Sequence, residues 1–300
     1  MYKTRARGVF IANILVLFAV TSWGLSFVSM KAILLAGIPP MTMSAIRYGI
    51  VATIFVVLLL VSKKKVFLSW KDHFALFFSG LSGVTLYFWF EARGIQYTTA
   101  SSASIILALI PIVTAFANIF VYKIKLTLWQ STSIGVSFLG AYFIVIGSVS
   151  SASSPDPLRG NILMIGAVIS WVLFTFLGSH LHSRMSTFHA TAWQSIYGFI
   201  LLVPFALSEK GLSVLIPPSI WFHFLYLAIV CSVLAFLFYN YAIKVIGVTV
   251  VSTYVNFVPV AGVLGGYFLL HESLSAIQGI GAILILFSLF SVNSRKKPTR

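Results

Sequence analysis

A chain of 300 residues that is 59% hydrophobic and 8% charged cannot be a water-soluble globular protein, whose charged share is about 25%. Lipid must be the solvent for most of its surface. Apolar–polar alternation is absent, so helices rather than a closed β-barrel are the spanning elements. The formal net charge of +15 would suit a nucleic-acid binder, but the basic residues are distributed by side of a membrane instead, and no nucleic-acid partner is expected.

Crossing a hydrocarbon core of about 30 Å takes roughly 20 apolar helical residues. Length and interruption give ten candidate spans, near 10–35, 41–61, 73–92, 99–122, 129–148, 161–182, 187–207, 220–242, 248–270 and 276–292. The first runs past residue 30 without a small-residue cleavage site, so it reads as a span and not as a cleaved leader. With a cytoplasmic N-terminus the inner side receives Lys3, Arg5, Arg7, Lys63, Lys64, Lys65, Lys71, Lys123, Lys125, Arg184, Lys244, Arg295, Lys296, Lys297 and Arg300. The outer side receives Arg93, Arg159 and Lys210. A ratio of 15 to 3 predicts a multi-pass protein of the cell (plasma or inner) membrane with both termini cytoplasmic.

The chain repeats itself at an offset of 148 residues. Asn13, Leu15, Ala19, Val20, Ser22, Trp23 and Leu25 recur as Asn161, Leu163, Ala167, Val168, Ser170, Trp171 and Leu173. The same offset takes Ser104 to Ser252, Pro111 to Pro259, Leu126 to Leu274 and Gln130 to Gln278. Five spans per copy is an odd number, so the second copy must enter the bilayer inverted. The basic loops agree, since Lys63 to Lys65 follow span two whereas Glu209 and Lys210 follow span seven. The predicted fold is an all-α polytopic membrane protein of ten transmembrane helices in two inverted five-helix repeats. Residues 1–148 form the first repeat, 149–160 an outer linker, 161–293 the second repeat and 294–300 a basic cytoplasmic tail.

Charges inside the spans are the first place to look for function. Lys31 and Arg47 lie roughly 8–10 Å inside the outer ends of spans one and two. Lys31 reads either as a snorkelling anchor or as a cavity residue. Arg47 sits deeper, wants an acidic partner, and Glu91 is placed to supply it. If Lys31, Arg47, Glu91 and Arg93 meet near the outer mouth, three positive charges face one negative, a balance that favours a substrate carboxylate. Glu91 is also the acid nearest to a span interior, so a proton is the candidate coupling ion. Tyr87, Trp171, Trp23, Tyr239 and Tyr254 are aromatic candidates for the pathway, against the plainer reading of belt and packing residues. Gln194, Asn240 and Asn256 are mid-span polar groups that should point inward. Pro111 and Pro259 are a matched pair of kinks or hinges. The lone Cys231 reads as a small buried residue. His180 and His182 are two apart and lack a third ligand, so no metal site is expected; with no phosphate-binding loop and no catalytic acid pair, an enzyme is not expected either.

Ser22-Trp23-Gly24, Lys31 and Arg47-Tyr48, together with Pro259, Glu272-Ser273-Leu274-Ser275, Gln278 and Gly281, resemble the pattern of the EamA family within the drug/metabolite transporter superfamily. The resemblance covers essentially the whole chain. One departure is Ile124, which stands where the second half has Glu272. That leaves Glu272 without a matched acid, and it reads as a helix-end residue. The resemblance implies a secondary transporter with a central cavity, no cofactor, and a small-molecule substrate carried without ATP. Amino-acid or aromatic-metabolite efflux by alternating access is the leading expectation. A uniporter, an importer or a multidrug exporter are the neighbouring readings, and a membrane enzyme or a non-transporting sensor subunit the remote ones. Monomer and homodimer are both open.

Overall fold

Regular elements begin and end where the local chemistry dictates. In a computed structural model that describes residues 2–62, 68–110, 112–114, 116–117, 128–149, 154–209, 215–246, 254 and 257–294, every regular element is helical. Helix α1, Tyr2–Leu35, stops at Gly37, whose φ of 83° is the left-handed value a helix-ending glycine supplies. Pro39 and Pro40 then start α2, Pro40–Val61, with proline in the first turn, where no N–H is needed. Helix α3, Trp70–Tyr97, opens on a capping box. The Ser69 hydroxyl accepts from the Asp72 N–H, and the Asp72 carboxylate accepts from the Ser69 N–H. Thr99 caps α4, Ala100–Leu107, by accepting from the Ser102 N–H. Helix α5 is Leu128–Val149. Asp156 caps α6, Pro157–Arg184, and Ser186 caps α7, Thr187–Ser208. Helix α8, residues 218–246, is followed by α9, Phe257–Leu270, and α10, Ala276–Ser294. Helix α6 starts at Pro157 because Asp156 and Pro157 together make a strong N-terminal signal.

Six helical stretches among the described residues are long and apolar enough to cross a membrane: Gly8–Leu35, Pro40–Val61, Trp70–Tyr97, Pro157–Leu177, Phe188–Ser208 and Pro218–Tyr239. Ala100–Thr114, Phe257–Leu270 and Ala276–Ser288 are shorter apolar helices. The outside of the bundle is greasy, with Phe10, Leu60, Phe222, Phe268 and Ile283 all exposed. This is a membrane protein whose apolar belt is made by its helices.

Without water to squeeze out, helices in lipid associate by close packing and by polar ties. The tightest approaches use glycine. A Cβ on Gly24 of α1 would lie 2.5 Å from the Val258 carbonyl of α9, and one on Gly140 of α5 would lie 2.7 Å from the Gly281 carbonyl of α10. The extensive contacts, α5 with α10, α3 with α6, α1 with α8 and α9, and α2 with α7, all join a helix before residue 150 to one after it.

Among the described residues two helices contain π-turns, in which each N–H reaches back five residues instead of four. They are Leu81–Leu86 in α3 and Tyr226–Leu234 in α8. The 148-residue offset carries Leu81–Leu86 onto residues 229–234, inside the second of them.

Candidate functional site

The π-turn of α8 is where the buried charge of the first half meets the second half. Arg47, on α2, is 6% exposed. Its Nε and Nη2 both donate to the Ser232 hydroxyl oxygen, at 3.1 and 3.0 Å. Ser232 in turn donates to the Leu227 carbonyl, five residues back in the wide turn, at 2.9 Å. The Phe88 ring lies 4.7 Å and the Tyr48 ring 5.7 Å from the guanidinium carbon. Nη1 faces only the Met30 thioether, at 3.9 Å. A guanidinium carries five N–H donors, so a single hydroxyl and a sulfur leave it short of oxygen acceptors.

Glu91, on α3 and 3% exposed, accepts from the Tyr87 hydroxyl at 2.6 Å through Oε1, while Oε2 is buried without a hydrogen-bond partner among the described residues. Tyr87 packs its ring 5.1 Å from Trp171 of α6, and Trp171 lies 5.2 Å from Phe174. Arg47 and Glu91 form no ion pair. The expectation that Glu91 satisfies Arg47 is therefore corrected: one oxygen of the acid is held by Tyr87, one turn away on its own helix, and the arginine reaches a serine on α8.

Trp23 engages the neighbouring residue of the same wide turn. Its indole Nε1 donates to the Cys231 carbonyl at 2.8 Å, and its ring lies 5.2 Å from Tyr239 and 5.3 Å from Phe236. Tyr226 donates its hydroxyl to the Ser22 carbonyl at 3.0 Å, and the buried Cys231 thiol points to the same oxygen. Ser22, Trp23 and Arg47 thus fasten α1 and α2 to consecutive residues of α8. The structure brings together Trp23, Arg47, Tyr87, Glu91, Trp171 and Tyr239 around two helices with wide turns.

Lys31, Arg93, Glu209 and Glu272 lie near one end of the bundle, each with its own partner. Lys31 donates to the Ile95 and Thr98 carbonyls at 2.8 and 2.6 Å, capping the C-terminal end of α3. Glu272 accepts from the Ala100 and Ser101 N–H groups and the Ser101 hydroxyl, at 2.8, 2.9 and 2.7 Å, and so caps α4. Glu209 accepts from the Met41 and Thr42 N–H groups at the start of α2 and pairs with Arg93 at 3.3 Å. The anticipated mouth with three positive charges and one negative is not formed. Glu209 and Glu272 arrive from the second half and balance it. Lys31 is consumed by carbonyls and is not open to a solute.

Other candidates are spread out. Gln194, buried on α7, donates to the Ser79 hydroxyl at 2.8 Å and ties α7 to α3. Tyr254 donates to Asn13 at 3.1 Å. Asn240 lies in α8, but its side chain falls outside the described residues, as do Asn256 and Pro111. Pro259 is buried in α9 and borders an apolar cavity of about 190 Å³ with Ile105, Val263, Leu274 and Ile285, which offers a solute no polar anchor. Among the described residues no three His, Cys, Asp or Glu side chains gather to hold a metal.

Comparison with known proteins follows the same division of the chain. The sequence profile of the "EamA-like transporter family" matches twice, over residues 10–146 and 158–294. The chain is 28% identical over 267 residues to the "Uncharacterized transporter YetK" of Bacillus subtilis, covering 87% of this chain and 80% of that one. It is 30% identical over 217 residues to an "Uncharacterized transporter" of Archaeoglobus fulgidus, covering 72% of this chain and 74% of the relative. A crystal structure superposes with a TM-score of 0.63 over 98% of this chain and 100% of its own, at 17% identity, a likeness of fold.

Proposed function

The chain belongs to the EamA-like transporter family, and from that premise we propose that it is a secondary carrier moving a small organic solute across the cell membrane by alternating access. In this reading the ten helices span the bilayer as two inverted halves with both termini cytoplasmic. The duplicated family match and the cross-half pairing of helices support it. Two related halves can exchange shapes, opening one mouth as the other closes. The end carrying Lys31, Glu209 and Glu272 is then the outer one, and it is tied shut by side chains reaching across the halves.

The observation that carries the substrate side of this reading is the buried pair Arg47 and Glu91. Each has unused hydrogen-bonding capacity and neither neutralises the other directly. Buried charges are normally paired, because an isolated one is expensive. A solute with an anionic and a cationic end, flanked by Tyr87, Trp171 and Phe88, satisfies both, which favours amino acids and aromatic metabolites. Glu91 is also the acid on which a coupling proton would ride, with Tyr87 as its hydrogen-bond donor.

The test is flux in vesicles containing the purified chain, over a panel of amino acids, aromatic acids and cationic drugs. Arg47→Gln should sharply reduce flux of carboxylated solutes, and unchanged flux removes the assignment. Dependence on a pH gradient that disappears in Glu91→Gln supports coupling; equal rates with and without a gradient make the protein a uniporter. Accessibility labelling at Lys64 and Arg184 should find both on one face of the membrane, and labelling on opposite faces would overturn the inverted arrangement.

A further inference from the structure

Ser232 is bonded in a way that a packing serine is not. Its single oxygen accepts two guanidinium N–H groups along the Nε–Nη2 edge of Arg47, the edge on which a carboxylate binds side-on with two parallel bonds. Its proton is separately committed to the Leu227 carbonyl, so losing Arg47 leaves the Ser232 donor satisfied and frees only the acceptor side of its oxygen. The guanidinium has little room to bind elsewhere. Met30, 1% exposed, abuts Nη1, and the Phe88 ring lies 4.7 Å from the guanidinium carbon.

We propose that Ser232 is a placeholder, holding in the empty carrier the edge of Arg47 that a solute carboxylate takes on binding, so that binding cuts the tie between α2 and α8. The proposal rests on the transporter reading and deepens it. A hydroxyl offers that edge one neutral acceptor oxygen, whereas a carboxylate offers two charged oxygens in the matching side-on geometry, so exchange runs toward the solute. The exchange has a structural consequence because the two ends of the tie lie in different halves. Arg47 is fixed on α2, while Ser232 is fixed on the wide turn that also holds Trp23 through the Cys231 carbonyl. When the carboxylate arrives, α8 loses its hydrogen-bonded tie to α2 and keeps its tie to α1. A solute without a carboxylate can occupy the aromatic space but leaves that link closed.

The experiment measures binding to the purified full-length chain, by ligand-induced change in tryptophan fluorescence. L-phenylalanine and 3-phenylpropionate are the carboxylate probes, and phenethylamine is the probe without one. Removing the hydroxyl in Ser232→Ala takes away a competitor, so both carboxylates should bind about three- to tenfold more tightly, with phenethylamine unaffected. Ser232→Thr, which restores a hydroxyl, should return the affinity toward the parent value. A serine that merely braces the site predicts the opposite sign: weaker binding in Ser232→Ala. That result, an unchanged affinity, or no carboxylate binding to the parent at millimolar concentration overturns the proposal. Flux of uncharged or cationic solutes in vesicles would still stand in those cases, and only its absence as well would remove the transporter reading.

Discussion

Replacing Glu272 by alanine tests the cap on α4 directly. The carboxylate is 7% exposed and accepts three hydrogen bonds, two of them from the first N–H groups of α4. The next free N–H in that helix, of Ser102, is already served by Thr99. Alanine therefore strands the Ala100 and Ser101 N–H groups in a buried place, while the Ser101 hydroxyl can turn to another acceptor. A hydrogen bond to a charged group is worth about 1.5–3 kcal/mol, and orphaning a buried donor costs about 1–3 kcal/mol. The favourable charge at a helix N-terminus adds about 0.3–1 kcal/mol. The expected local loss is about 3 kcal/mol at least, which reads as roughly hundredfold faster hydrogen exchange at Ala100 and Ser101. Glu272→Gln keeps one acceptor oxygen in place and should fall between parent and alanine. Exchange measured by mass spectrometry on the purified chain in micelles decides it. Equal exchange in parent and Glu272→Ala would refute the claim that a residue of the second half holds the start of α4.

Three further outcomes follow from the packing. Gly24→Ala places a methyl group against the Val258 carbonyl and Ala261, where backbone cannot step aside, and should destabilise the chain by about 1–3 kcal/mol, seen as a lower melting temperature. Trp23→Phe keeps the ring against Tyr239 and Phe236 but removes the donor to the Cys231 carbonyl, with an expected loss of about 1 kcal/mol in the same assay. His271, at a φ of 53° just after α9, holds a backbone conformation that glycine adopts freely, so His271→Gly should raise the melting temperature slightly, by about 1 kcal/mol of relieved strain.

The helical membrane architecture was legible because apolar length and charge placement are written in the letters themselves. Arg47 and Glu91 were legible too, since an ionisable residue inside an apolar run stands out by its expense. Their partners were not. Ser232 is one serine among many, and only the wide turn of α8 aims it at α2. Glu209 and Glu272 bind backbone N–H groups, which every residue but proline carries, so no pairing of letters announces them. The Cys231 carbonyl that Trp23 finds belongs to a turn that no periodicity in the sequence marks. Lys31 shows the converse: its depth was readable, but the carbonyls that consume it lie on another helix.

The wide turns of α3 and α8 carry a geometric consequence. A regular α-helix advances by about 100° per residue, so a surplus residue leaves everything beyond it out of phase with everything before it. The mismatch in α8 is what points Ser232 at one neighbour and the Cys231 carbonyl at another. Deleting a single residue such as Val230 would return the screw to its ordinary pitch and swing Ala235–Ile246 round by about a quarter turn relative to Pro218–Leu225.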